Sequence, residues 1–416
     1  MADEWEETTL GAEVDLLTGF PFKSERYTNS CDSIPLVRGD NIVQGTMRWD
    51  GVKRWPMTER REHQLYELRE GDVVLAMDRP WIEAGLKYAA ISKHDLPCLL
   101  VQRTARLRGG PKLDTRFLRY LVGSREFTQH IHAITTGTAV PHISGKQIKD
   151  FAFPLPPLAE QKAIASVLGA LDDKIELNRR MNATLEALAR ALFESWFAMH
   201  ANDVEESLVQ ELIDERVLLI GDGYRAKNSE FSPDGLPFIR AGNLKTDGLD
   251  LADAEVLSSR SVAAAGHKVG KVGDVAFTSK GTVGRITRVS PKTGQFVYSP
   301  QVCFWRSLAP GKLHPNVLYR WMSTDDFTSQ VAAVSTQTDM APYVSLQDQR
   351  KMVIQLPPAS AQREIAQRLE PIDDRISANA EQSRTLATLR DTLLPKLLSG
   401  ELSVPVALTT TEEALA

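Results

Sequence analysis

The feature that most constrains what this chain can fold into is a repeat at a spacing of 201 residues. Leu155-Pro156-Pro157 returns as Leu356-Pro357-Pro358, and in the same gapless register Gln161 matches Gln362, Ile164 matches Ile365, Ala165 matches Ala366 and Leu168 matches Leu369. Asp172-Asp173 then matches Asp373-Asp374, Ile175 matches Ile376 and Asn178 matches Asn379, and Leu185, Leu188 and Leu192 close the series against Leu386, Leu389 and Leu393. Self-similarity at one fixed offset is the mark of a duplicated architecture. Any fold must therefore use two similar halves of about 200 residues.

Each half has two textures. The first part is punctuated by Gly and Pro and carries short apolar runs. Val73-Val74-Leu75-Ala76 after Gly71-Asp72 reads as a strand, and so does Val275-Ala276-Phe277 after Gly273-Asp274. Helices are expected over Thr115–His132 and over the counterpart His314–Val334. The second part of each half lacks glycine over long stretches and has a helical period. In the first half the seam runs Ile164, Leu168, Leu171, Ile175, Asn178, Asn182, Leu185, Leu188/Ala189, Leu192 and Trp196. In the second it runs Ile365, Leu369, Ile372, Ile376, Asn379, Ser383, Leu386, Leu389, Leu393 and Leu397. Steps that alternate four and three predict a heptad seam. Pro371 and Pro395 predict a bend or interruption near each end of the second helix. Asn178 and Asn379 are either a buried pair that fixes register or exposed residues beside the seam.

A helix from Glu160 to Met199 would be roughly 60 Å long at ~1.5 Å per residue, too long for one small domain to bury. Two such helices most simply bury each other as an antiparallel coiled coil with approximate two-fold symmetry and a globular domain at each end. The fold class expected is α+β, two mixed α/β domains separated by the paired helices. The boundaries are 1–155, helical 156–203, 204–356 and helical 357–402, with 403–416 as a flexible tail.

Charge distribution matters more than the formal net charge of −5. Residues 101–149 hold nine Lys/Arg against Asp114 and Glu126, and residues 260–320 hold ten against Asp274 alone. Such blocks are either solvated faces or the clustered cations that a polyphosphate partner needs. Chemistry for catalysis is sparse. Gly266 to Gly270-Lys271-Val272 lacks the spacing and the hydroxyl of a phosphate-binding loop, and no dinucleotide fingerprint or nucleophile elbow occurs. His130-Ile131-His132 is read as surface or packing, and Asp172-Asp173 and Asp373-Asp374 as solvated or partner-facing charges. Cys31, Cys98 and Cys303 lie far apart, with no zinc spacing and no disulfide framework. No stretch approaches the ~18 apolar residues of a membrane helix, and the acidic start Met1–Glu7 is not a signal peptide. A cytoplasmic location is expected.

These residues together resemble the specificity (S) subunits of Type I restriction–modification systems, from about Trp5 to Leu402. The resemblance is carried by Pro154-Leu155-Pro156-Pro157-Leu158 with Glu160-Gln161-Lys162, by its weaker copy Leu356–Arg363, and by Leu397-Leu398-Ser399-Gly400-Glu401-Leu402. Val37–Ile42, Ala76–Trp81 and Thr136–Ser144 are similar to recurring phrases of that family. The second domain departs from them, with Ser279-Lys280-Gly281-Thr282 and Pro342-Tyr343-Val344-Ser345.

The resemblance implies a non-catalytic subunit whose two target-recognition domains each read half of a bipartite double-stranded DNA site. It implies that the helices set the spacing and dock two modification subunits, which methylate adenine N6 with S-adenosylmethionine. Two restriction subunits using ATP and Mg would add cleavage, and this chain itself holds no cofactor and no metal. An S-like subunit of another restriction or phage-defence system, or a coiled-coil protein scaffold, are the alternatives.

Arg38 and Asn41, with their copies Arg240 and Asn243, are candidate base readers, because Arg–guanine and Asn–adenine bidentate pairs are common direct contacts. Turn chemistry explains the same residues equally simply. Arg79, Lys87, Lys280 and Arg285 are candidate phosphate contacts. Thr138, His142, Ser144, Lys146 and Tyr343 stand in loops before the helices where DNA or structural roles are both open.

Overall fold

The computed structural model describes residues 5–82, 85–134, 141–245, 248–252, 254–335 and 342–415. Its contacts divide the chain into two compact units, Met1–Lys174 with Leu386–Ala416, and Ile175–Thr385. Each unit thus takes one globular part and a portion of each long helix.

In the first unit a five-stranded sheet runs in the order Val14–Thr18, Thr104–Gly109, Val73–Ala76, Tyr88–Ala90, Gln44–Gly45. A three-stranded sheet places Ser33–Val37 between Leu99–Leu100 and Arg54–Pro56. The expected strand Val73–Ala76 is buried along its whole length, as fits a continuous apolar run in the middle of a sheet. It starts where Gly71 takes φ +86°, a conformation that glycine adopts without steric penalty. Asp72 then accepts from the Arg69 amide at 2.8 Å and holds Arg108 through two bonds at 2.7 and 2.8 Å.

The second unit repeats this design. Its four-stranded sheet runs Leu218–Asp222, Val302–Ser307, Val275–Thr278, Ile286–Arg288, and Phe231–Ile239 lies between Val256–Leu257 and Val297–Tyr298. Gly273 has φ +88°, and Asp274 accepts from the Lys271 amide at 2.9 Å and chelates Arg306 at 2.6 and 2.7 Å. Each globular part closes with a two-stranded ladder. Glu6 pairs with Leu155 in one, and Glu205 with Leu356 in the other.

Each expected helix after the strands is two helices. Thr115–Val122 is followed by Arg125–Ile134, and Pro315–Met322 by Asp325–Ser335. The first break falls at Gly123-Ser124, where the Ser124 hydroxyl accepts from the Phe127 amide at 3.1 Å and so caps a new helix.

The long helices span Leu158–Met199 and Ala359–Leu398. The second is continuous through Pro371 and Pro395, so of the expected bend or interruption neither proline produces an interruption. Leu369 and Ile372 pack in the core around the first proline, and Leu393 and Leu397 are buried around the second; that burial offsets the one backbone bond each proline removes. In the first unit Ile164, Leu168, Leu171, Leu386 and Leu393 are buried seam residues. In the second, Ile365, Leu369, Asn178 and Asn379 are buried, while Ile175, Leu185, Leu192, Ile372 and Ile376 are half-buried. Leu188 is 47% exposed and Ala189 is fully buried in its place.

A polar layer crosses the seam inside the second unit. Asn178 Nδ2 donates to Gln382 Oε1 at 3.0 Å and to Ser383 Oγ at 3.3 Å, Asn379 Nδ2 donates to Asn182 Oδ1 at 2.8 Å, and Asn182 Nδ2 donates to the Ile376 carbonyl at 3.1 Å. Advancing from 178 to 182 moves the partner backward, so the helices run antiparallel there. The buried-pair alternative for Asn178 and Asn379 is the one observed.

Two further expectations are corrected. Asp172 and Asp373 are not solvated: Asp172 is held by Arg119, Tyr120 and Arg390, and Asp373 by Arg288 and Arg320. Only their neighbours Asp173 and Asp374 are exposed. Residues 403–416 are not a loose tail, because Val404–Leu415 is a helix with Ala407 and Thr411, one turn apart, both buried. His130 and His132 do pack as read: His130 Nε2 lies 2.9 Å from the Gln147 carbonyl and His132 stacks on Trp81 at 3.8 Å.

Candidate nucleic-acid interface

In the first unit the strand Ser33–Val37 ends in a tight turn. Asn41 Oδ1 accepts from the Arg38 amide at 3.2 Å, and its Nδ2 donates to the Arg48 carbonyl at 3.1 Å. Asn41 is 5% exposed, so both ends of its amide are spent inside the turn. The second unit builds the same motif: Asn243 accepts from Arg240 at 2.8 Å and donates to the Asp250 carbonyl at 3.0 Å. For both asparagines the geometry is turn chemistry, not a free amide offered to a base edge. The turns do project their arginines. Arg38 faces Asp40 at 3.4 Å with over a third of its side chain exposed. Arg240 is tied to Glu255 and lies over the rings of Phe231 and Phe238.

Beneath the Arg38–Asn41 turn lies Lys87, with Nζ 3.8 Å from where a β-carbon on Gly39 would stand. Lys87 is 8% exposed, and its ammonium has no hydrogen-bond partner among the described residues. Burial lowers its pKa, Asp40 opposes that, and Arg48 and Arg79 add to it. Arg79 itself is exposed, in a left-handed conformation at φ 45°. Two arginines thus add positive charge around the Lys87 ammonium, a concentration that an anion would relieve. Alongside, Asp78 is paired with His142 and with Arg103, the latter at 2.7 Å.

The second unit presents a different surface at the matching place. Lys280 bridges to Tyr343 in the backbone, and its ammonium lies 4.7 Å from the centre of the Tyr343 ring, a cation–π contact. Burial raises the Tyr343 pKa. The Ala241 amide reaches Gln301 Oε1 at 3.4 Å and the Ser279 amide reaches the Gln301 carbonyl at 3.0 Å, which ties the Arg240 turn to the Lys280 loop. Arg285 is exposed, with its backbone amide held by Thr278 Oγ1 at 3.0 Å. Gln301, Arg48 and Asp78 line these turns without having been sequence candidates, although Asp78 stands inside a quoted family phrase; Arg103 entered only as a member of the basic block 101–149.

Of the remaining candidates, Ser144 is the cap of the short helix Gly145–Lys149, reciprocated by Gln147, and Lys146 is exposed on that helix. Thr138 lies outside the described residues. About half of the cations in the basic blocks are consumed by ion pairs inside the units. In the first, Arg103, Arg106, Arg108 and Arg119 pair with Asp78, Asp15, Asp72 and Asp172. In the second, Lys268, Arg288, Lys292, Arg306, Lys312 and Arg320 are paired. Part of the local excess is neutralised by acids distant in the chain, while Lys112, Arg116, Arg125, Lys146, Lys149, Arg260, Lys271, Lys280 and Arg285 form no ion pair among the described residues and stand on helices as well as loops.

Glu59, Glu62 and His63 bring potential ligand atoms within 4.8 Å of one another, the one such grouping among the described residues. Arg26 already holds Glu59, and His63 packs among Phe20, Phe22 and Trp55. Among the described residues no helix is long and apolar enough to cross a membrane.

Residues 3–187 match the family described as Type I restriction modification DNA specificity domain. The chain is 39% identical over 174 residues to the Type I restriction enzyme EcoAI specificity subunit of Escherichia coli, an alignment covering 41% of this chain but only 29% of that relative. It is 23% identical to the EcoBI specificity subunit of Escherichia coli over 440 residues, covering 96% of this chain and 87% of that one. The crystal structure of a Type I restriction–modification S subunit from M. genitalium superposes with TM-score 0.55 at 16% identity, covering 95% of this chain and 96% of that chain; this shows a shared fold. Residues 3–187 thus carry the match to the Type I restriction modification DNA specificity domain, and over its length the chain is similar to Type I restriction specificity subunits.

Proposed function

We propose that this chain is the non-catalytic DNA-reading subunit of a Type I restriction–modification complex, with each globular part reading one half of a bipartite target. The observation that carries this reading is a contrast between the two halves. The helix anchors repeat closely, with Gln161 and Gln362 in the same contacts and Asp172 and Asp373 each held by an arginine. The loops do not repeat: Asp78, Arg79, Lys87 and His142 stand where the other unit has Lys280, Gly281, Arg285 and Tyr343. Equivalent helices suit two copies of one partner, and unlike loops suit two different DNA sequences. The partners would be two modification subunits carrying S-adenosylmethionine for adenine N6 methylation. Restriction subunits would bring ATP and Mg, and no catalytic step is assigned to this chain.

The test replaces residues 1–155 with the first domain of another family member and maps the methylated sites of the reconstituted complex. One half-site should change and the other persist. Changes in both halves, or a site with no bipartite form, would refute the assignment. Duplex affinity should also fall steeply between low and moderate salt, because phosphate contacts release counterions.

A further inference from the structure

The two helix anchors share a core and differ in one partner. In the first unit Asp172 of the long helix receives Arg119 at 3.2 Å and Tyr120 Oη at 2.8 Å from the globular part, and Arg390 at 2.8 Å from the second long helix. In the second unit Asp373 receives Arg320 and, at 3.2 Å, Arg288, both from the globular part. Arg320 also donates to Glu186 of the other long helix at 2.6 Å. Asp172 and Asp373, like Arg119 and Arg320, occupy matching positions in the repeat. Each aspartate therefore holds two arginines, but the second comes from opposite sides of the contact: from the helix in one unit and from the globular part in the other.

The matching positions show that these partners do not interchange. Arg390 corresponds to Ala189, fully buried in the second unit's core, where an arginine has no room. Glu186 corresponds to Ala387, and the first unit's second helix acid is instead Asp391, which pairs with Arg390 at 2.7 Å. Arg288 lies opposite Val275 as Ala90 lies opposite Val73, so the first globular part supplies no second arginine. The first seat offers Asp172 and Asp391 with a built-in arginine, and the second offers Asp373 and Glu186, both held by arginines of the globular part.

We propose that this charge arrangement keys each globular part to its own seat on the helices, independently of which DNA it reads. Seated in the first position, the second globular part would bring two arginines against Arg390, with only Asp172 and the exposed Asp391 as carboxylates. That leaves one positive charge uncompensated beside a largely buried contact. Like charges in such places are an effective bar to wrong partners.

The test uses four full-length chains and their melting midpoints. Residues 6–155 are kept, or replaced by a second copy of residues 205–356, on either the natural helices or helices carrying Ala387→Glu with Arg390→Ala. The recoding should raise the midpoint of the replaced chain by roughly 3 °C or more and lower that of the natural chain by a similar amount. Opposite signs are the expected result, because a merely structural effect of the two substitutions would move both chains the same way. Equal shifts, no shift, or a replaced chain that fails to fold on both sets of helices would each overturn the proposal.

Discussion

Gln161→Ala is the sharpest probe of how the repeat works. Gln161 is completely buried. Its Oε1 accepts from the Asp114 amide at 2.8 Å, and its Nε2 donates to the carbonyls of Lys112 at 2.9 Å and Pro156 at 2.7 Å. Alanine leaves three backbone groups without that partner, at about 1 kcal/mol each. One buried methylene is lost as well, at ~0.8 kcal/mol. The expected loss is about 4 kcal/mol in the first unit. Gln362 makes the same three contacts, to the His314 amide at 2.9 Å and the carbonyls of Lys312 at 3.0 Å and Pro357 at 2.8 Å, so Gln362→Ala should cost the second unit a similar amount. Because a two-unit chain need not unfold in one step, the assay is amide hydrogen exchange resolved by segment. Gln161→Glu separates the bonds from the volume: a carboxylate still accepts from Asp114 but turns oxygen toward two carbonyls. Its folded-state pKa is raised, so stability is present at low pH and lost as pH rises through that value. A loss below about 1 kcal/mol for Gln161→Ala, or one spread evenly over both units, would refute the reasoning.

Lys87→Met should stabilise the first unit, by up to about 1 kcal/mol, because it removes a buried charge without a hydrogen-bond partner. It should also weaken DNA binding and flatten its salt dependence by about one phosphate contact. Burial lowers the Lys87 pKa, so natural-chain stability should rise with pH between that lowered value and the ordinary lysine range, a slope Lys87→Met abolishes in pH-dependent unfolding. Replacing Asn182 and Asn379 by Leu should raise stability by roughly 1–3 kcal/mol while loosening helix register; disulfide trapping from cysteines placed one turn out of register should then succeed only in the variant. Burial pushes the Cys98 thiol up to about 12, so at pH 8 alkylation read by mass spectrometry should label the exposed Cys31 and spare Cys98. Equal labelling would contradict its burial.

What was legible in the sequence was whatever has a period or a turn. The seam, the Gly-Asp strand starts and the duplication all follow from spacing. The part that sequence could not disclose depends on partners far apart in the chain. Asp172 beside Asp173 reads as a solvated pair until Arg390 arrives more than two hundred residues later. The basic blocks read as a surface until Asp15, Asp72 and Glu186 neutralise much of it. Asn41 was ambiguous for the opposite reason: one short motif serves both a turn and a base reader, and only the Arg48 carbonyl decides between them. The leucine–alanine choice at 188 and 189 was left open by a seam that allows either step. The break at Gly123-Ser124 was overlooked because apolar spacing continues across it.

The division of the chain into units has a consequence for how it is made. The second unit, Ile175–Thr385, is one uninterrupted stretch, whereas the first must gather residues up to Lys174 and from Leu386 onward. On a ribosome adding ~5–20 residues per second, roughly 200 residues separate those pieces, a wait of about 10–40 s. Until Arg390 emerges, Asp172 has Arg119 and Tyr120 but not its helix partner, and Leu386 and Leu393, buried residues of the same unit, are not yet made. The portion synthesised first is thus the last to be completed, and premature termination anywhere before Leu386 leaves the nascent chain with an exposed apolar stripe for quality-control machinery to find.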